Sequence, residues 1–321
     1  MKRIIWLLIL GIVSIILSSC SNDVTYEKMP VDEFEVNEEI CYEKQILDIE
    51  GETLIQPEKI ASDGENLYIC DSGNNRILKC GLNGKSTYSI GSLGNGNGEF
   101  VNPKIVAVND TKLCVYDFGN KRIQLLTKSG EYLKEYSLDK FHTSTYLVDL
   151  AIDSNDKIYF SSVAFQDFIN EAGIYCIEEN DYIQIKKYAA GNLCLNTDTN
   201  VLCFISRFEP DSDSNWTTGY CEYGEISDKT FYPKKAISSF YSSVDIAYES
   251  GSEYVYNSCL QCIDKFDSNG YYQATVFMEP VVNDYEYVGF CSDFCGSLYL
   301  SDKKNNVIYK LSKILEEKND T

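Results

Sequence analysis

Residues 101–136 read VNPKIVAVNDTKLCVYDFGNKRIQLLTKSGEYLKEY, and residues 55–91 read IQPEKIASDGENLYICDSGNNRILKCGLNGKSTYSIG. The two stretches match at a constant offset of 46 residues in the pairs Pro57 and Pro103, Tyr68 and Cys114, Asp71 and Asp117, and Arg76 and Arg122. A fixed offset shared by several residue classes indicates an internal repeat.

The most regular part of the repeat is a short apolar strand. It occurs as LYI at 67, LCV at 113, IYF at 158, LCF at 202, YVY at 254 and LYL at 298, at intervals of 46, 45, 44, 52 and 44 residues. One unit divides into four short strands separated by turn-forming residues, and repeats of about 40 to 50 residues with four strands are typical of a β-propeller. The sequence therefore predicts an all-β protein, a six-bladed β-propeller with four-stranded antiparallel blades.

The last unit supplies only three strands, YVGFCSD, SLYLSD and VIYKLSK. An unfinished blade would leave an open sheet edge, which folded proteins avoid. The missing strand is available in EKQILDIEG, residues 43–51. We therefore expect this N-terminal strand to close the last blade.

Residues 91–133, GSLGNGNGEFVNPKIVAVNDTKLCVYDFGNKRIQLLTKSGEYL, resemble an NHL repeat. The resemblance extends over residues 55–136 and is recognisable again at 298–312. It implies a six-bladed propeller similar to lipoproteins of the bacterial envelope, and it implies no reaction. The glycines of residues 91–98 precede a predicted strand, whereas a dinucleotide site needs a helix after its glycines, so we expect a connecting loop here.

The N-terminus has the features of an export signal. Lys2 and Arg3 precede an apolar run of about fourteen residues, too short to span a membrane, and LSSC then resembles the bacterial lipobox with Cys20 as the lipidated residue. We expect a signal peptide at 1–19, a flexible tether at 20–39, the propeller at 40–314 and a charged tail at 315–321. This predicts a lipoprotein of the cell envelope, held by its lipid on the extracytoplasmic side of a membrane.

The chain is strongly acidic. Its formal charge is −21, and removal of residues 1–19, which contain two basic and no acidic residues, makes it −23. This charge disfavours nucleic acid as a partner and is compatible with divalent cations. Calcium is therefore one cofactor interpretation, with Asp63, Asp153 and Asp293 after inner strands as its candidate ligands; the other interpretation is that these aspartates stabilise turns and that the protein has no cofactor.

Three further patterns allow both a functional and a structural interpretation. The repeated Asp71, Asp117 and Asp302 are expected to hold turns, because a catalytic group is needed once and a turn in every blade. His142 is the only histidine, whereas the metal-dependent lyases among NHL-type propellers use several, so the resemblance does not imply that activity. Ser-His-Asp catalysis would have to use His142, and it is disfavoured because no GxSxG elbow precedes a helix. CLQC (259–262) and CSDFC (291–295) could bind zinc, form a disulfide or remain free thiols.

The fourth unit is the longest departure from the repeat. Residues 206–224 are expected to form an inserted loop. Either Phe208, Trp216 and Tyr220 in this loop bind a glycan or a protein of the envelope, or the loop is a surface feature without a binding role. The sequence thus predicts a non-catalytic, lipid-anchored module that binds a ligand or a protein. The alternative is a calcium-dependent hydrolase or lyase with an axial site.

Overall fold

The computed structural model describes residues 42–164, 166–179, 181–195, 201–210, 216–237, 243–249, 251–258, 261–279 and 285–314. In this part of the chain, the secondary structure consists of β-strands and short 3₁₀ segments. None of the helical segments found there has the length and apolar character needed to cross a bilayer.

The strands, in chain order, are β1 (Tyr42–Ile46), β2 (Pro57–Ser62), β3 (Asn66–Asp71), β4 (Arg76–Gly81), β5 (Tyr88–Ile90), β6 (Pro103–Val108), β7 (Lys112–Asp117), β8 (Arg122–Thr127), β9 (Tyr132–Ser137), β10 (Tyr146–Ile152), β11 (Ile158–Val163), β12 (Gly173–Glu178), β13 (Asp181–Lys187), β14 (Ala189–Leu195), β15 (Val201–Pro210), β16 (Trp216–Ser227), β17 (Thr230–Ile237), β18 (Ser243–Glu249), β19 (Ser252–Asn257), β20 (Cys262–Asp267), β21 (Tyr272–Met278), β22 (Tyr287–Ser292), β23 (Ser297–Asp302) and β24 (Val307–Lys313).

These strands form six four-stranded antiparallel sheets, which we number as blades 1 to 6. Blade 1 is β2–β5, blade 2 is β6–β9, blade 3 is β10–β13, blade 4 is β14–β17, blade 5 is β18–β21, and blade 6 is β22–β24 with β1. The first strand of each blade, which we call the inner strand, contacts the inner strands of both neighbouring blades, and β22 contacts β2. The ring is therefore closed, and the predicted six-bladed propeller is confirmed.

The N-terminal strand closes blade 6, as predicted. β1 pairs antiparallel with β24, from Tyr42 opposite Lys313 to Ile46 opposite Tyr309. Lys44 fixes this strand by an ion pair to the buried carboxylate of Glu279 in the neighbouring loop. Its ammonium also lies 4.1 Å from the ring centroid of Tyr285 and 4.4 Å from that of Tyr309. Cation–π contacts of this kind contribute about 0.5–2 kcal/mol.

Apolar clusters between neighbouring blades make up the core. Between blades 1 and 2, for example, Tyr68, Ile77, Phe100, Leu113 and Leu126 are almost fully buried. The outermost strand of blade 2, β9, instead alternates between exposed and half-buried residues, as expected for a strand with one face in solvent. Burial of apolar side chains between the sheets is the main force that holds the ring together.

The ring has two ends, which we name by the direction of the inner strands. At the entry end these strands begin, and the turns between the second and third strands of each blade also lie there, since Pro57 pairs with Asp71 and Pro103 with Asp117. At the exit end the inner strands finish and turn into the second strands. The two ends carry different residues.

The glycine-rich loop 91–100 connects blade 1 to the inner strand of blade 2, as predicted. Gly91 and Gly98 have positive φ angles of 80° and 75°, which glycine adopts without steric cost. The amide of Gly98 donates to Gln124 Oε1 at 3.0 Å, and Arg122 donates to the carbonyl of Gly96 at 2.7 Å. These contacts bind the loop to β8 of blade 2 and satisfy backbone hydrogen-bonding groups of the loop within the protein.

Candidate functional site

The repeated aspartates at the entry end hold turns. Asp71 accepts the amide of Ile55 at 2.8 Å, Asp117 accepts the amide of Val101 at 2.8 Å, and Asp302 accepts the amide of Glu286 at 3.1 Å. In each case the amide lies sixteen residues earlier, just before the inner strand of the same blade. The three aspartates therefore tie the incoming chain to the turn, which confirms their structural interpretation.

The aspartates offered as calcium ligands also serve their own turns. Each of them accepts hydrogen bonds of 2.7–3.0 Å from two backbone amides of the turn that follows it: Asp63 from Glu65 and Asn66, Asp153 from Asn155 and Lys157, and Asp293 from Cys295 and Ser297. Hydrogen bonds to backbone amides stabilise the ionised carboxylate and fix the turn. Throughout the described ranges, no three His, Cys, Asp or Glu side chains converge as metal ligands would.

Three charged side chains meet on the axis, and we call them the axial ring: Lys59, Asp149 and Asp245. They come from the inner strands of blades 1, 3 and 5. The ammonium of Lys59 lies 2.8 Å from Asp245 Oδ2 and 3.4 Å from Asp149 Oδ2. A single lysine thus bridges two carboxylates across the channel.

The two axial carboxylates also bind the backbone of the next blade. Asp149 Oδ2 accepts the amide of Leu193 at 3.0 Å, and Asp245 Oδ2 accepts the amide of Phe290 at 2.9 Å. The other oxygen of each carboxylate accepts the amide of the following residue in its own strand. Every oxygen of the pair therefore accepts a hydrogen bond already, and the ammonium of Lys59 fills the place between them that a cation would take.

Burial strongly affects the protonation of this group. It raises the pKa of Asp245 to about 7, with a further increase from the nearby charge of Asp149 and an opposing effect of Lys59. Burial by itself would lower the pKa of Lys59, but the two carboxylates hold the pKa of this lysine above its ordinary value. The lysine therefore stays charged, and the group acts as an ion-paired constriction of the channel.

A cavity of about 110 Å³ lies on the exit side of the axial ring. At one level its wall consists of small residues from the inner strands: Ala61, Ala107, Ala151, Cys194, Ala247 and Cys291. Phe294 lies at its open end and is 46% exposed. The space is large enough for a few water molecules or a small ligand.

The entry end carries a continuous row of side chains, which we call the entry-face arc: Lys303, Glu58, Lys104, Phe118 and Tyr146. The ammonium groups of Lys104 and Lys303 contact Glu58 Oε1 at 2.7 and 2.8 Å. Lys104 also lies 5.2 Å from the ring centroid of Phe118, which stacks on Tyr146 at a centroid distance of 6.3 Å. The arc thus extends over blades 6, 1, 2 and 3.

Tyr146 at the end of the arc is 43% exposed. An aromatic ring that is stacked on one side and open to solvent on the other offers a flat apolar face next to ammonium groups. Such a combination of a few polar groups with an aromatic surface is typical of ligand sites.

Residues 206–210 and 216–224 lie in two long strands, β15 and β16, and not in the inserted loop that the sequence predicted. The prediction of a loop was therefore wrong for these residues, and residues 211–215 lie outside the described part of the chain. β15 and β16 pair beyond the start of the inner strand: Ala189 lies opposite Arg207, and Phe208, Glu209 and Pro210 pair with Thr218, Thr217 and Trp216. The segment is rich in β-branched and aromatic residues, which favour strands over loops. This hairpin extends blade 4 at the entry end.

The candidate binding residues Phe208, Trp216 and Tyr220 lie on these two strands. Their backbone is described, whereas their side chains fall outside what the structure describes, and so does Cys20. Their proposed role in binding therefore remains a prediction. The hairpin places Phe208 and Trp216 on the same end of the ring as the arc, in the blade next to Tyr146.

The sequence between residues 46 and 209 matches the model of the family described as 6-bladed beta-propeller. The chain belongs to this family. Blades 1 to 3 and the beginning of blade 4 of this 6-bladed beta-propeller lie within the matched range. No curated protein sequence matches the chain significantly.

Solved structures with a similar fold include several enzymes. The propeller is similar to virginiamycin B lyase from Staphylococcus aureus, with 16% identity, a TM-score of 0.53, and 85% of this chain and 100% of the lyase covered. A gluconolactonase from Xanthomonas campestris has 12% identity, a TM-score of 0.57 and coverages of 85% and 90%. A PQQ-bound aldose sugar dehydrogenase from Streptomyces coelicolor has 12% identity, a TM-score of 0.55 and coverages of 85% and 98%. Likeness at this level of identity shows the shared fold.

His142 packs against the 3₁₀ segment Gln166–Glu171 of blade 3. It precedes the inner strand of blade 3, and its ring stacks on Phe168 at a centroid distance of 3.4 Å. Its Nδ1 lies 2.6 Å from Ser144 Oγ, and its amide donates to Glu171 at 2.8 Å. The histidine therefore has a packing role: it joins the connection before β10 to the 3₁₀ segment of the same blade.

The cysteines whose side chains the structure describes are free thiols, mostly inside strands: Cys70, Cys80, Cys114, Cys176, Cys194, Cys262, Cys291 and Cys295. Cys262 Sγ lies 3.6 Å from Asp264, and burial raises the pKa of the Cys80 and Cys176 thiols to about 11. Cys259, the partner of Cys262 in the CLQC motif, lies outside the described residues. Thiols with such raised pKa values behave as small apolar side chains.

Neither the axial ring nor the entry-face arc was predicted from the sequence. A signal for the ring was present, because Lys59, Asp149 and Asp245 each stand directly before an apolar pair, Ile-Ala or Leu-Ala, of an inner strand. Aligning the inner strands of all repeats would have placed these residues in one column. The arc carries a weaker signal, since its residues are ordinary for turns and strand ends.

Proposed function

We propose that this propeller is a lipid-anchored, extracytoplasmic binding module whose ligand binds at the entry end, and that it is not a catalyst. The observation that carries the proposal is the contrast between the two groups of polar residues. On the axis, Lys59, Asp149 and Asp245 satisfy one another and the backbone of neighbouring blades. At the entry end, Tyr146 is 43% exposed, and one carboxylate oxygen of Glu58 is shared by the two partly exposed ammonium groups of Lys104 and Lys303.

The axial carboxylates are poorly suited to the alternative, a calcium-dependent hydrolase or lyase. Calcium takes six to eight oxygen ligands, and a catalytic carboxylate needs a free oxygen facing its substrate. Here an ammonium group lies between the carboxylates, and each oxygen accepts a backbone or lysine hydrogen. The enzymes among the solved structures share the fold with this chain at 12–16% identity, which does not extend their reactions to it.

The entry end also gathers what is irregular in the repeat. The β15–β16 hairpin and the 3₁₀ segment Gln166–Glu171 lengthen blades 4 and 3 at that end. Additions of this kind to a regular scaffold commonly serve binding. The resemblance of residues 55–136 to NHL repeats supports the same role, since it implies a scaffold and no reaction.

The binding proposal is tested with the full-length protein in detergent micelles. A panel of oligosaccharides and peptides is screened by thermal shift, and hits are measured by isothermal titration calorimetry. We expect Tyr146→Ala to weaken binding about tenfold, because a stacked ring loses its contact.

Leu133→Ala is the matched control, because Leu133 on β9 is 44% exposed and Tyr146 is 43% exposed. This control should leave the affinity unchanged. Ligands that bind equally to the Tyr146→Ala variant, or a lactone or ester substrate whose turnover disappears in Asp149→Asn, would contradict the proposal.

The anchor is tested separately. Cys20 follows the apolar run directly, and cleavage before it would leave the cysteine as the new N-terminus. Mass spectrometry of the mature protein should find lipid on Cys20, and Cys20→Ser should release the protein from the membrane fraction. A mature chain that starts elsewhere and carries no lipid would refute this part of the proposal.

A further inference from the structure

Two ammonium groups lie side by side at the entry end. Lys104 from blade 2 and Lys303 from blade 6 contact the same atom, Glu58 Oε1, at 2.7 and 2.8 Å. A lysine ammonium has three N–H donors, and Glu58 takes one from each. Glu58 and the nearby Glu286 raise the pKa of Lys303, which therefore stays charged.

Exposure determines which charges a ligand meets. The side chains of Lys104 and Lys303 are 29% and 26% exposed, whereas that of Glu58 is 12% exposed and lies behind them. The protein as a whole carries a formal charge of −21. A pair of accessible ammonium groups is therefore a local exception on an acidic protein, and adjacent ammonium groups favour a carboxylate, sulfate or phosphate group.

An aromatic surface continues directly from this lysine pair. Phe118 lies 5.2 Å from the Lys104 ammonium and stacks on Tyr146, with 21° between the ring planes. The exposed ring of Tyr146 can pack against the apolar face of a sugar. The site thus offers charge and an apolar face next to each other, on a rigid base formed by the first residues of β6 and β10.

We infer that the entry-face arc binds an acidic carbohydrate, with the carboxylate or sulfate of one sugar held by Lys104 and Lys303 and a neighbouring ring packed on Tyr146. A nucleic acid suits the arc less well, because it brings one phosphate per nucleotide to a surface that is acidic outside the lysine pair. An acidic sugar places its charge only at that pair. The inference rests on the proposed function and names the class of ligand.

The test compares three probes on the full-length protein in detergent micelles: trigalacturonate, the neutral trisaccharide maltotriose, and AMP. Calorimetry at low salt should show trigalacturonate binding at least tenfold more tightly than maltotriose or AMP. Lys104→Met and Lys303→Met should each reduce the affinity for trigalacturonate about tenfold and leave that for maltotriose unchanged.

Two further variants separate a binding role from a structural one. Lys134→Met, on the outer strand β9, removes one positive charge far from the arc and should have no effect on affinity. Glu58→Gln should strengthen trigalacturonate binding several-fold, because it removes the competing carboxylate while keeping an acceptor for both lysines. Unchanged thermal unfolding of each variant verifies that the fold is intact.

The outcomes distinguish this inference from the proposed function. Equal affinity for trigalacturonate and maltotriose, with both lost in Tyr146→Ala, would overturn the acidic-sugar inference and leave the binding module in place. Tighter binding of AMP, or binding of trigalacturonate that the lysine variants do not alter, would also overturn the inference. Absence of binding by all three probes would exclude this class of ligand, and the wider ligand screen would still test the module.

Discussion

Blades 2 and 3 hold the start of their inner strands by different means. In blade 2 the buried Asp117 accepts the amide of Val101 and an N–H of Arg122 at 2.9 Å, and the turn that follows is short. In blade 3 the equivalent position is Ser162, whose hydroxyl donates to the carbonyl of Glu171 at 2.6 Å. There Glu171, at the end of a 3₁₀ segment, supplies the missing carboxylate.

The carboxylate of Glu171 performs the task of Asp117 from a different point in the chain. It accepts the amide of His142 at 2.8 Å and also binds the hydroxyl of Thr145, both in the connection just before β10. The requirement that is common to the two blades is a carboxylate that ties this connection to the turn. The repeated aspartate is therefore a structural device, and a blade that meets the same requirement by another carboxylate can carry extra residues at the entry end.

Removal of the Asp117 carboxylate, which ties the connection before β6 to the turn after β7, should lower the free energy of unfolding the most. Asp117→Ala leaves the amide of Val101 without its acceptor and takes one of two carboxylates from the buried guanidinium of Arg122, which keeps its ion pair to Glu135. Breaking a buried ion pair costs about 3–5 kcal/mol, and we expect a loss near the lower end of this range. Guanidinium-induced unfolding followed by circular dichroism measures the loss. Asp110→Ala, at an exposed position of the same blade, should change the free energy of unfolding by less than about 0.5 kcal/mol. If Asp117→Ala lowered the free energy of unfolding only slightly, the carboxylate of Asp117 would not hold this connection.

The corresponding change in blade 3 should cost less. Glu171→Ala removes two hydrogen bonds from a half-buried carboxylate with no arginine partner, so we expect a loss of about 1–2 kcal/mol in the free energy of unfolding. The exposed Glu131→Ala serves as the control in the same unfolding experiment. If Glu171→Ala behaved like Glu131→Ala, the two blades would not share the requirement for a carboxylate.

Blade 5 departs from the repeat by a buried carboxylate, which allows a third test with a smaller expected effect on stability. Leu67 and Leu113 are fully buried at one position of the second strand. The strand pairing places Glu253, 1% exposed, at this position in blade 5, one residue before the YVY that the sequence comparison aligned with it. Tyr223 donates to Glu253 Oε1 at 2.8 Å, and Glu253 Oε2 has no hydrogen-bond partner among the residues that the structure describes. Burial raises the pKa of Glu253 from its ordinary value of 4.5 to about 7.

The sign of the resulting pH dependence follows from this raised pKa. The folded state binds the proton more tightly than the unfolded state does, so the contribution of Glu253 to stability falls as the pH rises from about 4.5 to 7. Glu253→Gln is neutral throughout and should be more stable than the natural protein at pH 8 by about 1 kcal/mol, with little difference at pH 4.5. Urea unfolding at the two pH values measures this. An equal difference at both would show that the carboxylate does not titrate in this range.

The sequence predicted most of the fold because its information is repeated locally. Proline, turn aspartate and apolar strand recur at a constant spacing, so the number of blades and the role of Asp71, Asp117 and Asp302 could be derived by comparing units. The closing strand could be predicted because an open blade edge is unfavourable. These arguments require only neighbouring residues and the geometry of a sheet.

The sites were harder to predict, because they depend on distances across the ring. Lys59 contacts Asp149 and Asp245 only because alternate blades face each other across a narrow channel. No local sequence pattern predicts the width of this channel. Glu58 and Lys303 are similarly remote in sequence. The hairpin of blade 4 was interpreted as a loop because its length departs from the repeat, although the residues in WTTGYCEY favour strands.

The pairing of β1 with β24 has a consequence for how the protein is made. Tyr42 and Lys313, which lie opposite each other, are among the first and last residues of the propeller to leave the ribosome. Bringing together such distant parts of a chain is entropically costly and slow. Until β24 has been synthesised, β1 therefore has no partner strand and the ring stays open, and a chain shortened by a nonsense mutation before β24 could not close it.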